Sequence, residues 1–169
     1  AGFIFRRSTG VDQPLSREIY DCGDGAAVLL YNLESKTVVL TRQFRIAAYI
    51  ADPYNSFLVE VAAGKLDESN PEERIRIESE EETGFKIGKI IKIFDSFMSP
   101  GSVSERVHMF IAPYSPSDKK GSGGGLQQEG EDIEVLEVPF SEAMDMIRNG
   151  KIRDAKTIML LQHAALNLF

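Results

Sequence analysis

The sequence has a single cysteine, Cys22, and only two histidines, His108 and His163. One cysteine excludes a disulfide within the chain, and the two distant histidines lack the spacing of a zinc site. We therefore expect a reducing, cytoplasmic environment. Without a bonding partner, Cys22 is expected to be a small core residue. His108 lies in an alternating strand pattern and is expected to be structural.

Long apolar runs and basic clusters are also missing. No apolar run reaches the roughly 18 residues that a membrane-spanning helix needs, and no signal-peptide pattern opens the chain. The first residue is Ala1 rather than a methionine, which is compatible with a preceding N-terminal piece. The formal net charge of −7 argues against nucleic acid or an anionic membrane as a partner. A phosphate-bearing ligand would need metal ions to offset this charge.

The 169 residues, 43% of them hydrophobic, are enough for one domain with a substantial core. Apolar and β-branched runs predict strands at Gly2–Arg7, Arg17–Asp21, Ala26–Tyr31, Thr37–Phe44, Phe57–Ala62, Val107–Ala112 and Asp132–Val138, and one strand or a bent pair of strands at Ile87–Phe97. Helices are predicted from Pro71 to Thr83, from a Ser141 cap to about Asn149, and after an Asp154 cap. This order fits a mixed sheet covered on both faces.

Two connecting segments are predicted to be irregular. Ile46–Tyr54 contains a small apolar patch followed by Asp-Pro, which favours a loop. Ser115–Gly125 is rich in lysine, serine and glycine, and its GSGGG portion is expected to move freely.

The most unusual segment is Ala63–Phe85, where a glycine turn precedes an acidic helix. Six glutamates fall between positions 72 and 82, and only Ile75 and Ile77 are apolar in that interval. Two apolar residues at this separation point to different sides of a helix, so the helix lacks a core-facing stripe. Its Asn70-Pro71 start and its Gly84 end are ordinary helix signals. Hydrophobic burial alone therefore does not explain the segment.

Three of these glutamates share one side of the predicted helix. Glu78 and Glu82 are four residues apart and Glu81 lies three after Glu78. Such like-charge pairs each destabilise an isolated helix by roughly 0.2–0.5 kcal/mol. A divalent cation would remove the repulsion. The alternative is a solvated acidic face, which is the usual explanation of a charge run.

The acidic segment resembles the Nudix box, GX5EX7REUXEEXGU, in which U is a bulky apolar residue. The matching residues are Gly64, Glu78, Glu81, Glu82, Gly84 and Phe85. The segments REIYDCGDGAAVLLYN, TRQFRIAAY, MSPGSVSER, EGEDIEV and GKIRDAKT resemble the nucleoside-diphosphate-sugar pyrophosphatases of the Nudix superfamily, the GDP-mannose and ADP-ribose enzymes. The resemblance implies an α/β (α+β) fold, an α/β/α sandwich with a mixed β-sheet. It also implies a homodimer whose N-terminal strands, within residues 1–25, complete the sites beside the main domain, 26–169.

The box departs from the pattern at several positions. It is one residue short between Gly64 and Glu78, and Asn70 replaces the first box glutamate. Ile77 replaces an arginine that helps to orient a ligand glutamate in the family, and Ser79 replaces an aliphatic residue. Three hypotheses therefore remain: an active hydrolase, a Nudix-fold module that binds a nucleotide sugar without turnover, and an acidic interaction protein with an accidental match.

The resemblance also implies roles for individual residues. Mg²⁺, or Mn²⁺ in its place, is expected to be bound by the Ala63 carbonyl, Glu78, Glu81, Glu82 and Glu131. Oxygen ligands without histidine or cysteine suit magnesium. Glu129 matches the general base, and Glu82 takes part in catalysis as a metal ligand. The residues that match substrate contacts are Arg17, Glu18, Arg45, Glu105 and Lys156. The implied reaction cleaves a nucleoside diphosphate sugar into a nucleoside monophosphate and a sugar phosphate, with GDP-mannose slightly preferred over ADP-ribose.

Overall fold

A computed structural model describes all 169 residues. The N-terminal strands form a separate antiparallel hairpin, β1 (Gly2–Arg6) and β2 (Asp12–Ser16). The second strand was predicted at Arg17–Asp21, and this is wrong. A turn closed by Gly10, with a φ of 83°, brings the chain back early, so residues 12–16 pair instead. Within 17–21 only Tyr20 forms a bridge, to Val103.

The main sheet has seven strands and contains both parallel and antiparallel pairs. Its members are β3 (Gly25–Asn32), β4 (Thr37–Phe44), β5 (Phe57–Glu60), β6 (Ala62–Lys65), β7 (Ile91–Phe97), β8 (Arg106–Pro113) and β9 (Glu134–Pro139). Strands β3 and β8 are parallel, and the remaining pairs are antiparallel. The predicted mixed sheet is therefore confirmed.

The strand predicted at Phe57–Ala62 is divided where the chain changes partner. Strand β5 pairs with β4, and β6 then pairs with β3. At the crossover, the Val61 N–H donates instead to the hydroxyl of buried Thr157, 2.8 Å away. This keeps a buried backbone donor satisfied and places Ala63 and Gly64 beside β3.

Helices cover both faces of the sheet. The alternating side chains of β3 divide between two cores, with Ala27, Leu29 and Tyr31 on one face and Ala26, Val28 and Leu30 on the other. The first face carries α3 (Phe140–Arg148) and α4 (Ala155–Asn167), and the second carries α2 (Pro71–Thr83). The α/β/α sandwich is confirmed. None of the helices combines the length and apolar character needed to cross a bilayer.

Two local predictions about helices are wrong. Residues 46–54 are not a loop, because α1 (Ile46–Ala51) forms there, followed by a 3₁₀ turn. Its alanines favour helix, and Asp52, which precedes a proline, ends it. Helix α3 begins at Phe140 after Pro139 and has no side-chain cap, so Ser141 is not its cap. The Asp154 cap of α4 is confirmed, since its carboxylate accepts the Thr157 N–H.

Two residues were expected to have only structural roles. Cys22 is partly exposed and belongs to neither core, so its assignment as a core residue is wrong. It lies in the irregular connection before β3, where it lines a surface cavity beside Lys65 and Leu66. His108 is buried on β8, and its Nδ1 lies 2.8 Å from Asp95 Oδ1.

Candidate active site

Helix α2 is anchored by one apolar side chain and a set of polar ones. Ile75 is fully buried, whereas Ile77 is 49% exposed, so the predicted absence of an apolar stripe is confirmed. The Asn70 side chain accepts the N–H of Glu72 at the helix start, and Gly84 ends the helix with a φ of 78°. The buried polar residues are Glu78, Ser79, Glu82 and Thr83. Two carboxylates therefore occupy positions where a surface helix normally places leucine or isoleucine.

Glu82 is the more deeply buried of the two carboxylates. Its side chain is packed against β6, where Oε2 accepts the Ala63 N–H at 3.1 Å. Burial raises the pKa of Glu82 to about 8; the Ala63 hydrogen bond opposes this shift, while the negative charges of Glu78 and Glu131 add to it. An ionised Glu82 is thus costly in the protein alone and would be stabilised by a nearby cation.

Glu78 fits into the space above a glycine. A Cβ placed on Gly64 would lie 1.9 Å from Glu78 Oε1, so only glycine leaves room for this carboxylate. Burial raises the pKa of Glu78 to about 7, against the opposing effect of the Arg74 guanidinium, with Glu81 among the carboxylates that raise it further. Arg74 forms an ion pair with Glu78 from the previous helical turn.

The glycine-rich loop after β8 is attached to the end of α2. The N–H groups of Gly124 and Gly125 donate to the carbonyls of Glu82 and Glu81, each at 3.0 Å. A Cβ on Gly123 would lie 2.5 Å from the Glu82 carbonyl oxygen, so the approach requires glycine. Gly124 and Gly125 therefore attach this loop to α2, where they supply donors to helix carbonyls that have no partner within the helix. The free movement expected of the loop stays a prediction.

This attachment brings the second acidic segment to α2. Glu131 is partly buried, and its Oε2 accepts the Leu126 N–H at 2.9 Å. Glu129 is exposed at the end of a 3₁₀ turn. Both carboxylates raise the pKa of Glu78 through their charge. The predicted acids thus lie within electrostatic reach of one another, although no three of them converge at ligand distances as in a preformed metal site.

The donor set nevertheless fits a hard divalent cation. Its side chains are carboxylates only, and two of them are buried with raised pKa values. Mg²⁺ prefers oxygen ligands and retains several waters, so it does not require every carboxylate to bind it directly.

A cavity of about 430 Å³ lies beside these acids. Three predicted substrate residues, Arg45, Glu105 and Lys156, line it together with Ala63 and Gly64. The other two, Arg17 and Glu18, are exposed after the N-terminal hairpin and do not line the cavity. Their contribution across a dimer interface stays a prediction.

Glu60 is a residue of this cavity that the sequence analysis missed. Its buried carboxylate binds Arg45 through Oε2, 2.7 Å from Nη2, and Lys156 through Oε1 at 3.0 Å. Lys156 also contacts Asp154 Oδ1 at 2.8 Å. Burial opposes the charge on Lys156, but the two carboxylates raise its pKa above the usual value. A glutamate within the apolar run FLVEVA was the available indication, since charged residues are seldom fully buried unless paired.

Comparison with known proteins places the chain among a group of close relatives. No protein-family model matches it. The chain is 54% identical over 159 residues to the GDP-mannose pyrophosphatase of Pectobacterium atrosepticum, covering 94% of this chain and 81% of that protein. It is 52% identical over 147 residues to the GDP-mannose pyrophosphatases of Escherichia coli O1:K1 and Shigella boydii serotype 4, covering 87% of this chain and 76% of each. The chain belongs to the GDP-mannose pyrophosphatase family.

Pyrophosphatases are hydrolases that act on pyrophosphate bonds, so the chain is an enzyme of this class. In this member the acidic helix and the cavity meet at two backbone positions. Ala63 donates to Glu82 and Gly64 accommodates Glu78, and both residues line the cavity. The arrangement therefore places two buried carboxyl groups next to a cavity whose lining includes the cationic residues Arg45, Lys65 and Lys156.

A second cavity, of about 500 Å³, contains none of the predicted acids. Its basic side chains are Arg42, Lys151 and Arg153. Arg42 pairs with Glu134 and Arg153 with Asp52, both at 3.1 Å, so paired cations do not distinguish the two cavities. The 430 Å³ cavity alone of the two is lined by Ala63 and Gly64, which contact Glu82 and Glu78, and it is therefore the candidate active site in this member of the GDP-mannose pyrophosphatase family.

Proposed function

We propose that the chain hydrolyses the pyrophosphate bond of a nucleoside diphosphate sugar in a Mg²⁺-dependent, Nudix-type reaction. GDP-mannose is the first candidate substrate and ADP-ribose the second. The observation that carries this proposal is the position of buried Glu78 and Glu82 beside a cavity containing Arg45 and Lys156. The names of the relatives support GDP-mannose.

The proposed roles assign each group to the metal ion, the substrate or the attacking water. The ligands of the ion are Glu78, Glu82, Glu81, Glu131 and the Ala63 carbonyl. Bound Mg²⁺, which Mn²⁺ can replace, supplies Lewis-acid polarisation of the phosphate oxygens and offsets the carboxylate charge.

The remaining groups act on the substrate and on water. Arg45 presents a planar fork to phosphate oxygens, and Lys156 presents a compact positive charge. Glu105, on the cavity wall, contacts the region of the diphosphate. Exposed Glu129 accepts a proton from the water that attacks one phosphorus. The bond from that phosphorus to the bridging oxygen breaks, giving a nucleoside monophosphate and a sugar phosphate.

The hairpin supports a homodimer as the working form. All five residues of β1 are exposed, among them Phe3, Ile4 and Phe5. Phe3 and Phe5 share one face of the strand, and exposed apolar side chains grouped in this way are typical of an interaction site. In the proposed dimer the hairpin packs on the partner, and Arg17 and Glu18 reach the partner's cavity. Light scattering is expected to give twice the chain mass, and a strictly monomeric mass would contradict the proposal.

The second candidate function is a nucleotide-sugar binding module without turnover. Ile77 and Asn70 motivate it, because both replace charged residues of the box. This hypothesis predicts that GDP-mannose raises the melting temperature while no monophosphate forms.

Turnover with a panel of nucleoside diphosphate sugars tests the proposal. With Mg²⁺ we expect GDP-mannose to yield GMP and mannose 1-phosphate, measured by chromatography, and EDTA to stop the reaction. Glu82→Gln is expected to lose turnover, whereas Glu80→Gln, an exposed change on the same helix, is expected to retain it. Failure of every substrate in the panel would exclude the enzymatic proposal.

A further inference from the structure

Arg74 connects the acidic helix to the strand that precedes it. Its Nε donates to the Lys65 carbonyl at 3.1 Å, and its Nη2 forms an ion pair with Glu78 Oε1. The side chains of Arg74 and Glu78 are only 23% and 9% exposed. One guanidinium therefore holds the Glu78 carboxylate and the backbone of β6 at the same time.

No cation reaches Glu78 from the position directly before it. Ile77 occupies the place of the box arginine, and its half-exposed side chain lies beside Glu80 and Glu81. Arg74 is four residues before Glu78, so it projects from the same face of the helix one turn earlier.

Glu78 is thus confined from two sides. Gly64 leaves space for the carboxylate, since any Cβ there would overlap it, and Arg74 binds Oε1. The ion pair uses one carboxylate oxygen and leaves Oε2 available to a cation. A metal-binding carboxylate is commonly oriented in this way by a partner on its second oxygen.

We propose that Arg74 is a positioning residue that replaces the missing box arginine and orients Glu78 for Mg²⁺. This inference rests on the proposed metal-dependent function. The opposing possibility is that Arg74 merely neutralises Glu78 and competes with the ion. The two possibilities predict opposite changes in metal affinity when the guanidinium is removed.

The test compares Arg74→Gln with Arg76→Gln. Arg76 lies on the same helix and carries the same charge, but it donates to the Ile87 carbonyl at 3.2 Å and contacts no carboxylate of the box. Binding of Mn²⁺ to the substrate-free protein is measured by electron paramagnetic resonance, and the Mg²⁺ concentration for half-maximal hydrolysis is measured separately. Melting temperatures in EDTA record any structural effect of either change.

Arg74→Gln is expected to weaken Mn²⁺ binding, and to raise the half-maximal Mg²⁺ concentration, by about tenfold or more. Arg76→Gln is expected to change both by less than about twofold, because it contacts no ligand. Unchanged or tighter metal binding in Arg74→Gln would overturn the inference. If the wild-type protein shows neither metal binding nor turnover, the proposed function itself fails. If the wild-type protein binds the metal and Arg74→Gln binds it equally well, only the inference about Arg74 fails.

Discussion

Replacing Glu82 with glutamine is expected to stabilise the metal-free protein at pH 8 and to abolish the stabilisation by Mg²⁺ that the proposed function predicts. The side chain is 1% exposed, and burial raises its pKa to about 8. Glutamine has a similar shape, and its amide oxygen can still accept the Ala63 N–H. The change therefore removes a costly charge while keeping the hydrogen bond.

The direction of the pH effect follows from where the proton is bound. In the unfolded chain Glu82 has its ordinary pKa of 4.5, whereas in the folded protein its pKa is raised to about 8, so the proton is retained to higher pH. Unfolding thus releases a proton between these values, so the free energy of unfolding falls as pH rises through this window. The full difference corresponds to roughly 5 kcal/mol at about 1.36 kcal/mol per pH unit.

The expected effect is smaller than this upper bound, because Glu78 titrates in the same range and the two groups are coupled. We expect Glu82→Gln to raise the free energy of unfolding in EDTA at pH 8 by about 2–3 kcal/mol. For a chain of this size that corresponds to roughly 4–12 °C in melting temperature.

Urea and thermal unfolding in EDTA at pH 5 and pH 8, repeated with Mg²⁺, measure the effect. The gain in stability is expected to be largest at pH 8 and nearly absent at pH 5, where folded Glu82 is protonated. The exposed change Glu80→Gln serves as the control for net charge. A loss of stability at pH 8, or a gain that does not depend on pH, would refute the reasoning.

Three further changes test contacts around the site. Thr157→Val removes the hydroxyl that accepts the N–H at the β5–β6 crossover, so urea unfolding should show a loss of about 1–3 kcal/mol. Glu60→Gln weakens the ordering of Arg45 and Lys156, and kcat/KM for GDP-mannose is expected to fall about 10- to 100-fold. Gly125→Ala places a Cβ 2.4 Å from Glu131 Oε2, so the substitution should weaken activation by Mg²⁺. The control is Gly150→Ala, because Gly150 has a similar φ of 76° but no neighbour within 4 Å, and this substitution should leave the activation unchanged.

The parts of the fold that sequence could predict are those set by neighbouring residues. Asn70, Pro71 and Gly84 define the ends of α2 through capping and backbone preferences that act within a few residues. The alternating and β-branched runs likewise defined most strands of the main sheet, because one-residue alternation divides side chains between its two faces.

The parts that sequence analysis missed depend on contacts between distant segments. Glu60 meets Lys156 across 96 positions of the chain, and the crossover at Val61 depends on a hydroxyl equally far away. The GSGGG segment is flexible by composition, yet its N–H groups meet the unpaired carbonyls at the end of α2. Composition describes what a segment can do alone, and it does not specify which polar groups it will meet.

The departures from the Nudix box also involve contacts that the order of residues along the chain does not specify. They bear on the choice between an enzyme and a binding module. Asn70 accepts a helix N–H that a glutamate could not accept as readily, and the Ser79 hydroxyl donates to the Phe85 carbonyl at 3.2 Å. The cation that Ile77 lacks is present on Arg74, one turn earlier on the face that carries Glu78. A linear pattern compares positions along the chain, whereas a carboxylate is oriented by whatever lies nearest in space. These substitutions therefore do not by themselves favour loss of catalysis, and the Arg74→Gln experiment addresses the one departure that lies next to a proposed metal ligand, Glu78.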